Sequence, residues 1–279
     1  MTNPILACPL CKAPLAPINN SLVCEAKHCF DRAKQGYWNL LSVQQKKSLD
    51  PGDNPLMVQA RSAFLDLDHY QPLAAAIQHI LADELQQINS AQILDMGCGE
   101  GYYTSQWQQN LPQHQFLGLD ISKHAVKAAT RRNRDISWLV ASGANMPIAD
   151  HSLDVLSVLF SRLMPEPFAR ALKDDALLIL VWPSANHLVQ LKQALYQDVK
   201  TSSYDPIAEL NPLFSLQSEQ QLNFDFILEQ ADHLQTLLLM TPHGQRINDD
   251  TKASLIQQLP ITLSFSVNIG CFRKRAQPV

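Results

Sequence analysis

One run governs what this chain can fold into: Gln92-Ile93-Leu94-Asp95-Met96-Gly97-Cys98-Gly99-Glu100-Gly101-Tyr102-Tyr103. An apolar strand breaks there into glycines at alternate positions. A second acid, Asp120, closes the next apolar run, Phe116-Leu117-Gly118-Leu119. Alternate glycines let the backbone turn sharply and approach a ligand where a Cβ would block it. An acid ending the second strand suits a two-point hydrogen bond to the hydroxyls of a ribose. In pyrophosphate-binding loops the third glycine follows two residues later, and the helix N-terminus faces phosphate. Here Glu100 stands where a pyrophosphate would be repelled. The pattern therefore points to a cationic, phosphate-free nucleoside; S-adenosylmethionine fits, and with it methyl transfer.

Strands and helices alternate beyond this run. Gln92 to Met96, Gln115 to Asp120, Ser137 to Ala141, Asp154 to Phe160 and Leu177 to Trp182 read as strands, the βαβ signature of a parallel sheet with helices on both faces. Leu234 to Met240 is the expected sixth strand, although its leucines also suit a helix. Thr262 to Phe272, alternating polar and apolar, suits a final antiparallel strand ahead of Arg273-Lys274-Arg275. Residues 200–230 show no clear pattern. The expected architecture is α/β, a Rossmann-like class I methyltransferase fold with a mostly parallel seven-stranded sheet.

Four of the six cysteines fall in the first 29 residues. Cys8-Pro9-Leu10-Cys11 is a C-x2-C knuckle, followed by Cys24 and then His28, with Cys29 adjacent as a competing fourth ligand. In a reducing compartment such clustering favours metal over disulfides. Three thiolates and one further ligand make the closed tetrahedral set of a structural zinc. Short strands are expected at Ala13 to Pro17 and Ser21 to Cys24. So small a segment cannot bury enough core to fold unaided, and one zinc ion supplies the missing order. Lys27, Phe30, Arg32, Lys34, Tyr37 and Trp38 give it the basic and aromatic residues with which zinc knuckles grip RNA, unless the aromatics are its own core. Asp50-Pro51-Gly52-Asp53 is a turn signal. Pro55 to Leu65 and Pro72 to Ile88 show helical spacing. The chain thus divides into a zinc-binding module for RNA recognition (1–50), a helical linker (51–88) and a methyltransferase domain (89–279).

Net charge is −4, yet residues 1–62 carry seven Lys/Arg against four Asp/Glu, leaving −7 for the rest. A basic end on an acidic body offers a footprint for a polyanion. No apolar run approaches the roughly 18 to 20 residues that cross a bilayer, so no membrane partner is expected. Met1 to Pro9 lack the basic segment and apolar core of a secretion signal, and the expected location is cytoplasmic.

From Cys8 through Tyr70 the chain resembles the bacterial 23S ribosomal RNA guanine-N1-methyltransferases, which modify a hairpin guanine. The matching runs are Cys8-Pro9-Leu10-Cys11, Phe30-Asp31, Ala33-Lys34, Gly36-Tyr37, Asn39-Leu40-Leu41, Val43-Gln44, Lys47-Ser48 and Asp50-Pro51-Gly52-Asp53. Met57, Ala60-Arg61, Phe64-Leu65 and His69-Tyr70 with Pro72 complete the stretch. The likeness continues through Gly101-Tyr102-Tyr103-Thr104 and Gly118-Leu119-Asp120 to Pro183–Lys192, and weakens after residue 200. The resemblance implies a 23S rRNA hairpin as partner, His28 as the fourth zinc ligand, and Tyr70 and His187 in the cofactor pocket. The chain departs from the family at Asp68, where glycine is usual, at Phe160–Pro165, and at Lys173-Asp174-Asp175.

Roles follow. Gly97, Gly99 and Gly101 would hold the methionine part of the cofactor, beside Glu100. Asp95 would order the loop or pair with the cationic end. Asp120 would take the ribose, unless it serves only the start of the next helix beside Ser122. Ser142-Gly143-Ala144-Asn145 would flank adenine. Guanine N1 must lose a proton, so a base is expected; Asp154, His151 and His187 are candidates, and the sequence selects none. A homodimer is compatible with so small a zinc module. Two other readings stay open: a small-molecule methyltransferase with a purely stabilising zinc module, and an RNA-binding protein that has lost catalysis.

Overall fold

The computed structural model describes residues 5–42, 44, 48–195, 204–241 and 247–275. Val43 and Lys47 of the resemblance lie outside them.

The chain opens with three short antiparallel strands, β1 (Ala16–Ile18), β2 (Ser21–Val23) and β3 (Cys29–Asp31), in a small sheet of order β1-β2-β3. Next, β4 (Trp38–Asn39) runs parallel to a strand of the main sheet. Two helices follow, α1 (Pro55–Leu65) and α2 (Gln71–Glu84). The start of α1 is written locally: the Asn54 side chain accepts from the Met57 amide, and Pro55 takes a position whose missing N–H is no loss.

β5 (Gln92–Met96), α3 (Tyr102–Asn110), β6 (Gln115–Asp120), α4 (Lys123–Arg132), β7 (Ser137–Val140), β8 (Leu153–Leu159), α5 (Pro165–Ala171) and β9 (Leu172–Pro183) then alternate. The chain ends with α6 (Val189–Leu195), α7 (Pro206–Leu210), β10 (Phe214–Leu228), α8 (Ala231–Met240), α9 (Asp249–Gln257) and β11 (Ile261–Lys274). The main sheet has eight strands in the order β10-β11-β9-β8-β5-β6-β7-β4. Strands β4 to β9 pair in parallel, while β11 runs antiparallel to both β9 and β10.

Seven of these strands form the expected methyltransferase sheet, and β4 adds an eighth at its edge. The expected strand at Leu234 to Met240 is instead the helix α8, with Leu234, Leu237 and Leu238 buried at helical spacing. The remaining strand is β10, inside the stretch that showed no pattern. Its burial is mostly exposed from Gln217 to Gln221, because it is an edge strand paired on one side only.

Two apolar clusters cover the sheet. One gathers Phe64, Leu73, Ile77 and Leu81 of α1 and α2 with Trp107 and Trp138. The other joins Leu6, Leu15, Leu22 and Leu40 of the N-terminal segment to Leu94, Met96 and Met146. The zinc segment thus packs into the same core as the sheet. Leu6 bridges Ile148, the Ala7 amide donates to the Pro147 carbonyl at 2.9 Å, and the Leu40 amide donates to the Val140 carbonyl at 2.9 Å.

Gly101, with φ of +83°, starts α3, and a Cβ there would lie 2.6 Å from the ring of Trp138. Both left-handed backbone and a full neighbour oppose any side chain. Gly101→Ala is expected to cost about 3 kcal/mol, read as a lower urea midpoint. A loss under about 1 kcal/mol would contradict this packing.

Candidate functional site

In an open α/β sheet, ligands bind outside the C-terminal ends of the parallel strands, where the strand order reverses. That point falls between β5 and β8, and a cleft of about 1080 Å³ opens there. The sequence-selected residues Tyr70, Asp95, Gly97, Gly99, Glu100 and His187 all line it. Gly101 and Asp120 are not among its lining residues.

The end of β6 shapes the glycine loop. The Gly97 and Cys98 amides donate to the Leu119 carbonyl at 2.7 and 3.1 Å. The Gly99 amide donates to one carboxylate oxygen of Asp120 at 3.0 Å, and the Ser122 amide donates to the other at 2.7 Å. Burial pushes the Asp120 carboxyl upward, and these two amides pull against the shift. Gly97 has φ of +80°, and a Cβ on it would overlap the Ser161 side chain, so the loop and the segment after β8 touch only because residue 97 is glycine.

Asp95 is 3% exposed. Its carboxylate accepts from Thr104 Oγ1 at 2.5 Å and from Ser157 Oγ at 3.0 Å, tying β5 to α3 and β8. Burial raises its pKa to about 6, against the pull of those two hydroxyls. Glu100, also buried, forms an ion pair with Arg132, which further bonds Asp66 at 2.7 Å. Burial raises the Glu100 pKa, and Arg132 opposes the rise. Sequence reasoning treated Glu100 as a bare charge; Arg132, at the far end of α4, partly compensates it.

Tyr70 is held edge-on by Phe64, Phe226 and Phe265, with ring centroids 5.3, 5.9 and 4.5 Å away. Its hydroxyl is buried and has no hydrogen-bond partner among the described residues, and the same is true of Nε of Arg61, another cleft residue. Burial moves the Tyr70 pKa upward. Uncompensated buried donors are costly, so two of them on one cleft wall mark a place where a polar ligand completes the structure. Arg61 also pairs with Asp53 at 2.6 Å, which joins the Asp50-Pro51-Gly52-Asp53 turn to the cleft. His187 Nδ1 accepts from the Ser266 amide at 3.3 Å, and its ring meets Phe265 at 5.0 Å.

Other expected residues lie elsewhere. Asn145 faces the N-terminal segment: it donates to the Pro9 carbonyl at 3.1 Å and accepts from Lys12. Asp154 sits at the opposite, N-terminal end of β8, accepting from the Gln92 amide at 2.8 Å and pairing with Lys173 at 2.6 Å. His151 is beside it, 2.9 Å from Lys274 Nζ. Of the three candidate bases, His187 is the one lining the cleft. Phe160 and Ser161, in the segment after β8 that commonly lines a methyltransferase's reaction centre, line it too, as do Arg61, Trp182, Gln221 and Asn268, to which the sequence assigns no role. Arg61 carried a signal, as part of the matched Ala60-Arg61 run; Gln221 and Asn268 carried none, because they meet only through the pairing of β10 with β11.

In the N-terminal segment, the ligand atoms of Cys8, Cys11, Cys24 and His28 all lie within 4.8 Å of one another. Three edges of this cluster measure 3.5 Å (Cys8 Sγ to His28 Nδ1), 3.4 Å (Cys24 Sγ to His28 Nδ1) and 3.6 Å (Cys11 Sγ to Cys24 Sγ). A tetrahedron with Zn–S near 2.3 Å and Zn–N near 2.0 Å has edges of about 3.5 to 3.8 Å. The four residues therefore fit zinc as they stand. Cys29 turns away, with its Sγ 3.9 Å from Asp31. Tyr37 belongs to the core, whereas Lys27, Arg32 and Lys34 are exposed.

Fold, glycine loop and cleft together define a class I S-adenosylmethionine-dependent methyltransferase carrying a structural zinc module. Residues 6–49 match the zinc-ribbon profile described as "RlmA, N-terminal", and residues 93–176 match the profile "Methyltransferase domain". The chain is 31% identical over 271 residues, 95% of each chain, to a Streptomyces fradiae protein named 23S rRNA (guanine(748)-N(1))-methyltransferase. It is 30% identical over 275 residues, 94% of this chain and 95% of the other, to a Bacillus subtilis (strain 168) protein named putative 23S rRNA (guanine-N(1)-)-methyltransferase YxjB. The chain belongs to the 23S rRNA (guanine-N1)-methyltransferase family.

Two outcomes follow from the geometry. The purified protein is expected to carry one zinc per chain by elemental analysis, and Cys24→Ser is expected to lose it and to lower the thermal midpoint. The second concerns Asp95. Its folded pKa of about 6 exceeds the ordinary 3.8, so its contribution to stability is full below about pH 4 and is lost as pH rises through 6. The loss is on the order of 3 kcal/mol. Urea melts of Asp95→Asn should show a correspondingly smaller fall between pH 4 and 7 than the parent; parallel profiles would contradict the burial argument.

Proposed function

We propose that the protein transfers the methyl group of S-adenosylmethionine to N1 of a hairpin guanine in 23S ribosomal RNA. The observation that carries this reading is that its likeness to the rRNA guanine methyltransferases runs through both modules, covering 95% of the chain. A generic methyltransferase would share only the sheet. The bound cofactor supplies an electrophilic methyl on a positively charged sulfur; everything else is placement, with acceptor and methyl brought to about 3 Å.

In this reading the loop at Gly97, Gly99 and Gly101 lets the methionine part lie against backbone, and Asp95 and Glu100 give that end of the cleft its acidic character. Tyr70 supplies its hydroxyl, and His187 lines the cleft near it, both rings packing on Phe265. Asp120, which lies outside the cleft lining, acts here by fixing the loop through the Gly99 and Ser122 amides, and a ribose would have to reach it past that loop. As N1 takes the methyl, that methyl's bond to sulfur breaks and S-adenosylhomocysteine is the leaving group, while the N1 proton would pass to water at the mouth of the cleft. N1 lies on the Watson–Crick edge, so a paired base must first be freed from its helix and turned into the cleft.

The zinc module, comprising residues 1–50 ahead of the 51–88 linker and the 89–279 catalytic domain, would present the hairpin through exposed Lys27, Arg32 and Lys34. A homodimer would double that basic surface. No helix among the described residues is long and apolar enough to cross a membrane, and a ribosomal substrate supports a cytoplasmic location.

The test is methylation of unmodified 23S rRNA read by primer extension, since a methyl on N1 blocks pairing and halts reverse transcriptase one nucleotide early. A new stop in a hairpin is the expected result. Cys8→Ala should lower the rate at least tenfold while leaving the cofactor affinity of the remaining folded protein within threefold. Cofactor binding with no stop anywhere in the RNA would overturn the assignment.

A further inference from the structure

The loop end of the cleft is rich in acids, with Asp53, Asp95 and Glu100 all in its lining. Among the described residues two Arg or Lys side chains line the cleft, Arg61 of α1 and Lys192 of α6, and Arg61 is the one that packs beside the glycine loop. We propose that Arg61 holds the carboxylate of S-adenosylmethionine and that Asp53 positions the guanidinium for it, so that cofactor choice depends on that carboxylate. The inference rests on the cofactor class and is independent of the RNA substrate.

Helix geometry aims the side chain. Met57, Arg61 and Leu65 recur at every fourth residue of α1, which puts them on one face, and all three line the cleft. The stem of Arg61 runs along the glycine turn: a Cβ built on Gly99 would stand 3.7 Å from Arg61 Cδ, an ordinary contact, and would meet no other group within 4 Å. The head group is fixed at one corner. Nη2 donates to Asp53 Oδ2 at 2.6 Å and to the carbonyl of Met240, the last residue of α8, at 3.3 Å. Asp53 is itself held, because its carbonyl accepts from Ser122 Oγ at 2.6 Å, just beyond the end of β6. A guanidinium has five N–H donors in a rigid plane, so three remain once these two acceptors are served. Nε, buried, has no partner among the described residues, while the side chain as a whole is 31% exposed.

The neighbouring charges decide what those donors can take. Burial raises the pKa values of Glu100, Tyr103 and Asp120, and Arg61 is among the groups that pull each of them back. Arg61 therefore sits within the acidic surroundings of the loop. A ligand carrying only negative charge is repelled by those acids, and one carrying only positive charge is repelled by Arg61. The amino-acid end of S-adenosylmethionine bears both signs on one carbon: the ammonium suits the acids and the carboxylate suits the guanidinium. Arginine serves here better than lysine, because its planar fork matches the two oxygens of a carboxylate and such charge-assisted pairs are the strong ones.

The experiment titrates the full-length, zinc-loaded protein by calorimetry with S-adenosylmethionine and with decarboxylated S-adenosylmethionine, which lacks only the carboxylate. The parent is expected to bind S-adenosylmethionine at least tenfold more tightly. Arg61→Ala should bring the two affinities within threefold of each other by weakening S-adenosylmethionine alone. A merely structural role would weaken both ligands alike and keep the ratio, and either that result or a parent that binds the two equally overturns the proposal. Arg61→Lys keeps the charge without the fork and serves where Arg61→Ala does not fold: a ratio reduced at least threefold supports the assignment, and an unchanged ratio overturns it. Asp53→Asn should lower the ratio by a smaller factor, and no change there removes Asp53 from the site. No RNA enters these titrations. A protein that gives the expected ratios yet leaves 23S rRNA unmethylated retains the carboxylate site and loses the rRNA assignment, so the two failures are distinguishable.

Discussion

The site depends above all on how the end of β6 holds the glycine loop. Three loop amides point back at Leu119 and Asp120, and in doing so commit a carboxylate, a carbonyl and a left-handed turn to a single arrangement. Backbone donors on a sharp turn have few ways to be satisfied away from water. Here the satisfaction comes from the neighbouring strand, which places the loop at the reversal point of the sheet. Asp95 anchors the other side of the turn through Thr104 and Ser157. The two acids that first drew attention in the sequence therefore do structural work on the loop before any ligand enters.

The zinc module is bound into this arrangement. Its apolar residues share a cluster with β5 and with the turn after β7, β4 extends the main sheet, and Asn145 is bonded to Pro9 and Lys12 next to the knuckle. A metal that orders some forty residues thereby also buttresses one edge of the catalytic sheet. An RNA held by the knuckle would sit against a surface continuous with the domain, so its position relative to the cleft is set by packed contacts as well as by a linker.

Much of the fold was legible because its signals are local. The five parallel strands β5 to β9 are short apolar runs between helical segments, and α1 and α2 show their buried faces at helical spacing. The metal ligands were legible too, although His28 and Cys29 were equivalent by spacing and needed the family resemblance; the structure separates them by direction, one imidazole turned inward and one thiol outward. Leu234 to Met240 misled because a run of leucines carries no period of its own. What made it helical was the packing of Leu234, Leu237 and Leu238 on one face. β10 was missed although Leu222, Phe224 and Phe226 alternate with polar residues in its second half; its first half, Ser215 to Gln221, is an exposed edge rich in Ser and Gln that carries no such signal.

The sequence by itself determined the chemistry that is available: a glycine turn that admits a nucleoside, a Cys3His set of zinc ligands, and a kinship that spans both. Tertiary structure decided which groups meet. It paired Glu100 with Arg132, left the Tyr70 hydroxyl and Arg61 Nε unsatisfied in one wall, put Asp154 and His151 at the wrong end of β8, and set Gln221 beside Asn268. Each of these is a contact between residues far apart in the chain, created by strand order and register. Local spacing carries information about turns, caps and single elements, whereas a cleft is made where elements from distant parts of the chain converge.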